Sequence, residues 1–226
     1  MSFVIAIDGP SGSGKSSVSR AVATHFGIGY LDTGAMYRAV TVWCVRTGVD
    51  LDDSAAVAQA AREVPLGLGA DPAAPTVELD GDDVAAEIRT GAVSALVSRV
   101  ATNLEVRGIL QEAQRGLIEA IGEDWGGVVA EGRDITTVVA PDADVRILLT
   151  ASEEARLARR SRELHGDADA AALAATRDQV VRRDRDDATV SEFTRAADGV
   201  VALDTSDLDF AASVAAVIAI VEAERQ

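Results

Sequence analysis

The stretch FVIAIDGPSGSGKSS, residues Phe3 to Ser17, decides the fold of this chain. Its first five residues, 3–7, form a short apolar run of the kind that makes a buried strand. The residues that follow, 9–17, match the pattern G-x-x-x-x-G-K-[ST] in every defining position. Apolar side chains between Val18 and Phe26 then repeat at helical spacing. Strand, glycine-rich loop and helix therefore come in the order of a phosphate-binding loop.

This loop predicts a site for a polyphosphate, because glycines let backbone N–H groups face phosphate oxygens and a helix start adds its positive end. Lys15 is expected to reach a phosphate, and the Ser16 hydroxyl to bind Mg²⁺. Lys15 is also the only lysine among 21 basic residues, so a compact ammonium stands at this one position. The alternative is a flexible Gly/Ser loop that matches by chance. The predicted ATP-binding residues are Gly9, Pro10, Ser11, Gly12, Ser13, Gly14, Lys15, Ser16 and Ser17.

Composition narrows the class of protein. The chain has 226 residues, 48% of them hydrophobic, which is enough for one core but hardly for two full-sized domains. A net charge of −16 argues against binding a nucleic-acid polymer, whose phosphates would be repelled. The single cysteine, Cys44, lies in an apolar helical run and is expected in the core. No apolar run approaches the ~18 residues of a membrane span, and the amino terminus enters a strand without a basic and then apolar signal, so we expect a cytoplasmic enzyme. We expect it separately to be a monomer.

Two histidines, His25 and His165, are too few for a zinc site, and both are expected at the surface. The guanine-reading motif Asn-Lys-x-Asp cannot occur, because the chain has one asparagine, Asn103, and its lysine is in the loop. The apolar strand at 145–149 ends in Thr150 rather than in a Walker B acid, although the strand at 200–203 does end in an aspartate. These absences exclude a GTPase and disfavour a water-activating ATPase.

Strand patterns alternate with helix patterns along the rest of the chain, which predicts a parallel sheet covered on both faces. We expect one P-loop domain with a core of residues 1–64 and 122–226, a small β-containing insert at about 65–121, and a lid at about 156–187. Within the insert, Asp80-Gly81 predicts a hairpin turn. The remaining strands are predicted at 29–31, 128–130, 145–149 and 200–203, and the helices at 35–46, 52–63, 93–121, 152–164 and 210–221.

Arginines are concentrated where helices meet loops, and eight of them lie between Arg156 and Arg185. Phosphoryl transfer between two anions accounts for such a set, because guanidinium forks suit phosphates and a negatively charged transition state. An acceptor phosphate, with a second pKa near ~6, would also need no general base. The alternative for any one arginine is a solvated face paired with glutamates.

Five motifs in order resemble the bacterial cytidylate kinase family over nearly the full length: GPSGSGKSS, LDTGAMYR (31–38), EIRT (87–90), EGRD (131–134) and RRDRDD (182–187). The resemblance implies the α/β P-loop NMP-kinase fold, a five-stranded parallel sheet flanked by helices, with a lid and a small β-containing NMP-binding insert. It also implies transfer of the γ-phosphoryl group of ATP to CMP or dCMP, with Mg²⁺ as the cofactor that accompanies ATP.

By this resemblance, Arg38 and Arg133 would hold the CMP phosphate. Ser98, Arg107 and Asp134 would read cytosine. Asp134 can accept from the cytosine amino group, which uracil lacks, so C would be favoured over U. Two alternatives stay open, namely that Ser98 merely occupies a helix surface and that Asp134 orients Mg²⁺ through water. The implied CMP-binding residues are Thr33, Arg38, Arg89, Ser98, Arg107, Arg133, Asp134 and Asp187, the last for the sugar hydroxyls. The implied catalytic residues are Lys15, Arg133, Arg156, Arg160 and Arg183.

Two rival functions stay open at this point: a kinase for UMP, AMP or a non-nucleotide, and a non-catalytic nucleotide-sensing module. The chain also departs from the family pattern after R-D-x-x-D. Where the family has an arginine, this chain has Val190, and the following stretch is about two residues short. We hypothesise that Arg195 supplies the missing cation, with Arg185 or no substitute at all as the alternatives.

Overall fold

A computed structural model describes residues 2–165, 177 and 181–225 of the chain. The strands are β1 (Phe3–Asp8), β2 (Gly29–Asp32), β3 (Leu66–Leu68), β4 (Val77–Leu79), β5 (Asp82–Asp83), β6 (Gly127–Gly132), β7 (Val145–Thr150) and β8 (Val201–Asp204). The helices are α1 (Lys15–Phe26), α2 (Thr33–Thr47), α3 (Ser54–Glu63), α4 (Gly91–Ala101), α5 (Leu104–Trp125), α6 (Glu153–His165), α7 (residues 181–187) and α8 (Phe210–Glu224). Residues 166–176 and 178–180 of the predicted lid lie outside the described residues.

The central sheet is parallel, with five strands in the order β2-β6-β1-β7-β8, as predicted. Strand β1 lies in the middle and pairs with β6 on one side and β7 on the other. Strands β2 and β6 therefore lie on one side of β1, and the later strands β7 and β8 lie on its other side. Such a reversal opens a crevice at the carboxyl ends of the strands, where α/β proteins bind their ligands.

The two faces of the sheet are buried by different helices. On one face, Ile5 and Ile7 of β1 pack against apolar residues of α1 and α8. On the other, Ala6 packs with residues of β6 and with Ile118 and Ile121 of α5. Because both faces are covered, the central strands consist of continuous apolar runs rather than alternating patterns. This explains why they could be recognised from the sequence.

The insert contains a three-stranded antiparallel sheet, β3-β4-β5. Asp80 and Gly81, with φ angles of 52° and 83°, form the predicted hairpin turn. The helical span predicted at 93–121 consists of two helices rather than one, because α4 ends at Ala101 and α5 begins at Leu104. Asn103 separates them, since its side chain accepts from the backbone N–H groups of Glu105 and Val106 as an N-cap.

Helices α2 to α5 pack around a second apolar core, which joins Tyr37 and Val40 to residues of α3, α4 and α5. Cys44 is fully buried in this core, and His25 is exposed, as predicted. A backbone hydrogen bond joins the segment after β3 to the five-stranded sheet, because the Tyr30 N–H donates to the Ala70 carbonyl at 2.9 Å. Within the described part of the chain, no helix is long and apolar enough to cross a membrane.

Candidate active site

A cavity of about 900 Å³ opens at the carboxyl edge of the sheet, beside β1. The phosphate loop forms one wall, the start of α2 and the insert form another, and arginines of α6 and α7 reach in from the side. Residues Leu208 to Ser213, before and within α8, complete the end near the loop. The cavity therefore lies where the strand order predicts a ligand site.

The phosphate loop depends on its glycines. A Cβ on Gly9 would lie 2.2 Å from the Leu149 carbonyl oxygen, so only glycine lets the loop leave β1 so close to β7. Gly14, with φ 90°, precedes α1 without a side-chain cap, and no acidic residue stands in that first turn. The Ser13 hydroxyl is buried without a partner among the described residues. Uncapped N–H groups and a spare hydroxyl at this turn suit a bound phosphate.

Lys15 points toward Glu131, at the end of β6, with 3.7 Å between Nζ and Oε2. Burial lowers the pKa of Lys15, and the Glu131 charge opposes that shift. Burial raises the pKa of Glu131, which also accepts from the Tyr30 hydroxyl at 3.0 Å and from the Ser16 side chain. Sequence reasoning gave Glu131 no role, although its place directly after a buried strand was a usable signal.

The residues near the loop fit a Mg²⁺ ion that arrives with ATP. Ser16 lines the cavity and contacts Glu131. Asp32 also lines it, but its carboxylate caps α2 and pairs with Arg89 at 3.4 Å. No group of three or more His, Cys, Asp or Glu side chains assembles as a metal site among the described residues. Mg²⁺ in kinases is held by one or two protein groups, phosphates and water, so Ser16 and Glu131 suffice.

At the opposite end of the cavity, Asp134 forms a buried ion pair with Arg107 and accepts from Gln111 Nε2 at 2.7 Å. The loop of Asp134 is fixed by Asp8, whose carboxylate accepts from the backbone N–H groups of Ile135 and Thr136 at 3.0 and 2.8 Å. This arrangement favours a polar recognition role for Asp134 over the alternative metal role. Gln111 was missed by sequence reasoning.

Arg38 places a buried positive charge in the cavity, between the phosphate loop and Asp134. Its guanidinium donates to the Ile88 carbonyl at 2.8 Å and to the Ser94 hydroxyl at 3.0 Å, and it forms no ion pair within the described part of the chain. Burial first, and then Arg183 and Arg160, lower the pKa of Arg38 to about 9. A buried cation that faces other cations is well placed to receive an anion.

Arg133 joins the phosphate loop to α7. It donates to the Gly9 carbonyl at 2.7 Å, to Asp184 at 2.9 Å and to Asp187 at 3.1 Å. Its Cζ atom also lies 4.3 Å from the centre of the Phe193 ring. Asp187 is therefore shared between two predicted site arginines, since Arg183 Nε approaches it at 3.6 Å.

The structure brings most of the predicted site residues together around the cavity. Those that line it are Ser11, Gly12, Ser13, Gly14, Lys15, Ser16, Ser17, Thr33, Arg38, Arg89, Arg107, Arg133, Asp134, Arg160, Arg183 and Asp187.

Four predicted residues do not line the cavity. Arg156 instead donates to the Ser11 carbonyl at 2.9 Å and pairs with Asp184, so it supports the loop from behind. Gly9 and Pro10 shape the loop without facing the cavity, and Ser98 lies on α4 one helical turn from Ser94, whose hydroxyl contacts Arg38.

Neither Arg195 nor Arg185 lines the cavity in this structure, and both are exposed. The hypothesis that one of them replaces the missing family arginine therefore has no support from the geometry. Arg159 was not predicted individually, yet it donates to the Ser13 carbonyl at 3.0 Å and to the Leu208 carbonyl at 3.1 Å. Arg159 thereby ties α6 both to the loop and to the segment before α8.

The comparison with known proteins agrees with this geometry. The model of the cytidylate kinase family matches residues 5–223. The chain belongs to the cytidylate kinase family. A cytidylate kinase of Streptomyces avermitilis is 48% identical over 98% of this chain and 94% of that protein. A cytidylate kinase of Nocardia farcinica is 53% identical over 91% of this chain and 88% of that protein.

Solved structures support the fold separately. The crystal structure of an uncharacterized protein from Eubacterium ventriosum superposes with a TM-score of 0.52, covering 97% of this chain and 98% of that one, at 13% identity. At that identity the likeness concerns the fold alone. Membership of the cytidylate kinase family confirms the resemblance drawn from the five sequence motifs.

Proposed function

We propose that this chain transfers the γ-phosphoryl group of ATP to CMP or dCMP, giving ADP and CDP or dCDP. Membership of the cytidylate kinase family supports this activity. The observation that carries it is one cavity with the phosphate loop at one end and the buried Arg107–Asp134 pair at the other. Cationic side chains lie between these ends, where a phosphoryl group would pass.

At the donor end, the loop amides and Lys15 hold the phosphates of ATP, and Arg159 keeps the loop against Leu208. Ser16 and Glu131 would hold Mg²⁺, which when bound neutralises charge on the phosphate oxygens. The buried site strengthens the interaction of Lys15 with the phosphates, since screening by water is reduced.

At the acceptor end, the Asp134 carboxylate accepts from the amino group of cytosine, and Arg107 donates to acceptor atoms on the base. Uracil carries a carbonyl where cytosine carries the amino group, so the part of the Asp134 carboxylate that faces the base would meet an acceptor instead of a donor. A buried polar group left without its partner costs enough to discriminate strongly between the two bases.

Between the ends, Arg38 and Arg133 bind the acceptor phosphate, while Arg160 and Arg183 stabilise the charge that spreads over the transferring group. The acceptor phosphate, with a second pKa near ~6, is largely ionised at neutral pH, so no general base is required. This agrees with a cavity that His25 does not reach.

The proposal includes two movable parts, an acceptor-binding insert at about 65–121 and a lid at about 156–187. Closure of both would exclude water from the transferring phosphoryl group. We further propose that the enzyme acts in the cytoplasm, in keeping with the expectation from its sequence. We also propose that it is a monomer, because one chain supplies the residues of both ends of the cavity. Light scattering of the purified protein would test the monomer directly.

The test of function is ADP formation with ATP and a panel of CMP, dCMP, UMP and AMP. The proposal expects CMP and dCMP to be phosphorylated with far higher kcat/KM than UMP or AMP. Preference for UMP or AMP would indicate a different monophosphate kinase. Binding of ATP without turnover of any acceptor would indicate a nucleotide-sensing module instead.

A further inference from the structure

The segment that departs from the family pattern, residues 188–194, contacts both of the acceptor-site arginines. Below it is called the strap. The Ser191 hydroxyl accepts from Arg107 Nη2 at 2.7 Å. The Phe193 ring lies against the guanidinium of Arg133, with 4.3 Å between Cζ and the ring centre. The strap thus reaches the base end and the phosphate end of the acceptor site together.

Local hydrogen bonds explain how the strap turns toward Arg107. The Asp187 carbonyl, at the end of α7, accepts from the backbone N–H groups of Val190 at 3.2 Å and Ser191 at 3.1 Å. The Glu192 carboxylate then accepts from the Thr194 hydroxyl at 2.6 Å and the Thr194 N–H at 2.8 Å. These bonds lower the pKa of Glu192.

Phe193 anchors the other end of the strap. Its side chain is buried, and it packs with Leu148 of β7 and with Val200. The ring face covers the guanidinium of Arg133, which also binds the Gly9 carbonyl and the carboxylates of α7. A cation held over an aromatic face loses rotational freedom and gains electrostatic attraction from the ring. Phe193 therefore fixes the plane in which Arg133 presents its remaining donors.

Ser191 has the corresponding effect on Arg107. Arg107 Nη2 is shared between the Asp134 carboxylate and the Ser191 hydroxyl, while Nη1 donates to the Ala101 carbonyl at 3.2 Å. Three acceptors in different directions define the orientation of a planar guanidinium. Without Ser191, the contacts with Asp134 and Ala101 remain, but the guanidinium loses one of the three acceptors that define its orientation.

We infer that Ser191 and Phe193 are positioning residues for the acceptor nucleotide. Ser191 orients Arg107 for the base, and Phe193 orients Arg133 for the acceptor phosphate. The inference rests on the proposed function, because the acceptor roles of Arg107 and Arg133 come from it. Its consequence is that the strap sets the affinity for the acceptor and leaves the affinity for ATP unchanged.

The first test compares Ser191→Ala, Ser191→Thr and the control Thr189→Ala in steady-state kinetics, with CMP and ATP varied separately. The control removes an exposed hydroxyl of the same strap, which donates to the Asp186 carbonyl and does not line the cavity. We expect Ser191→Ala to raise the KM for CMP about three- to tenfold, with the KM for ATP and kcat within about twofold. Ser191→Thr keeps a hydroxyl and should restore most of the loss. Equal kinetics for Ser191→Ala and Thr189→Ala would overturn the role of Ser191.

The second test compares Phe193→Leu with Val200→Ala, which disturbs the same apolar cluster without touching Arg133. Urea unfolding measures the stability that each variant loses. When the two variants lose equal unfolding free energy, we expect only Phe193→Leu to lower kcat/KM for CMP, by about three- to tenfold. If both variants lowered it equally, Phe193 would act through packing alone and the inference would fail for this residue.

The wild-type panel separates failure of the inference from failure of the proposed function. If the wild-type protein does not phosphorylate CMP, the proposed function fails. The monophosphate that it phosphorylates best then replaces CMP in both comparisons. If the wild type uses CMP and the strap variants match their controls, the inference alone fails.

Discussion

The guanidinium of Arg107 and the carboxylate of Asp134 form an ion pair in which each side chain is less than a tenth exposed, at 8% and 7%. Removing one partner of such a pair leaves an uncompensated charge in a poorly solvated place. The pair also accounts for the direction of base discrimination in the proposed function. Stability and acceptor choice are therefore coupled at this end of the cavity.

Replacing Asp134 by alanine should lower kcat/KM for CMP about ten- to a hundredfold and leave the affinity for ATP nearly unchanged. The lost acceptor faces the base and not the donor. The variant should also unfold more easily by about 3 to 5 kcal/mol, since Arg107 stays buried without its partner. The control is Asp52→Asn, which breaks only the exposed pair with Arg99. Equal losses for CMP and ATP would favour the metal role for Asp134.

Replacing Lys15 by methionine should abolish most phosphoryl transfer, with a fall in kcat of about a hundredfold or more, while the fold is kept. The neutral side chain cannot offset charge on the phosphates in a site with little water. Circular dichroism and turnover with saturating CMP measure the two effects. Arg62→Met, which removes an exposed cation far from the loop, is the control. Turnover within twofold of the wild type would contradict the role of Lys15.

Replacing Glu131 by glutamine should move the alkaline limb of the pH–rate profile to lower pH. Burial lowers the pKa of Lys15, and the charge of Glu131 counteracts that shift. Since activity requires the protonated ammonium, it is lost as pH rises through the Lys15 pKa, and without Glu131 that pKa falls further. The measurement is kcat/KM for ATP against pH. Asp204→Asn, an exposed acid at the end of β8, should leave the limb in place.

Much of the fold could be predicted because its signals are local. The phosphate loop is a contiguous pattern, and strands buried on both faces are contiguous apolar runs. The break between α4 and α5 was equally local, but the Asn103 cap was hidden by apolar spacing that continues on either side. Gln111 could have been found, since it follows Arg107 by four residues and so shares its helix face.

The remaining errors come from the packing of elements distant in sequence. Spacing places Arg156 and Arg160 on one face of α6, yet only Arg160 lines the cavity. The placement of α6 against the loop decides this, and a Cβ on Gly12 would meet the Arg156 carbonyl oxygen at 2.6 Å. The contact of Phe193 with Arg133 spans sixty residues and leaves no periodic trace in the sequence. The periodicity of apolar residues in the sequence carries no information about contacts between such distant elements.

Replacing Asp8 by asparagine should destabilise the protein by about 1 to 3 kcal/mol without changing the charge that lines the cavity. The carboxylate accepts from the Ile135 and Thr136 N–H groups and the Thr136 hydroxyl, and an amide NH₂ would face donors on one side. Urea unfolding gives the loss. Asp144→Asn is the matched control, because Asp144 also accepts a backbone N–H, from Val4, but at the surface. A loss no greater than the control would argue against this anchor.

Arg38 differs from Arg107 in that, among the described residues, it is buried without a carboxylate partner. Its pKa of about 9 lies well below the ordinary value for arginine because the native state disfavours its charge. The native state therefore binds this proton more weakly than the unfolded chain. The resulting loss of stability is fully present below about pH 9 and is relieved only as pH rises from there, so it is complete at pH 7.

Replacing Arg38 by methionine should therefore raise the unfolding free energy of the ligand-free protein at pH 7, by about 0.5 to 2 kcal/mol, while it weakens CMP binding. At 100 times its Kd, CMP should stabilise the wild type by about 2.7 kcal/mol. If the variant binds CMP ten- to a hundredfold more weakly, the same concentration adds only about 0.4 to 1.4 kcal/mol. Urea unfolding with and without CMP measures both quantities, and Arg62→Met should change neither. A variant that is less stable without ligand would show that the contacts of Arg38 with Ile88 and Ser94 outweigh the cost of burying its charge.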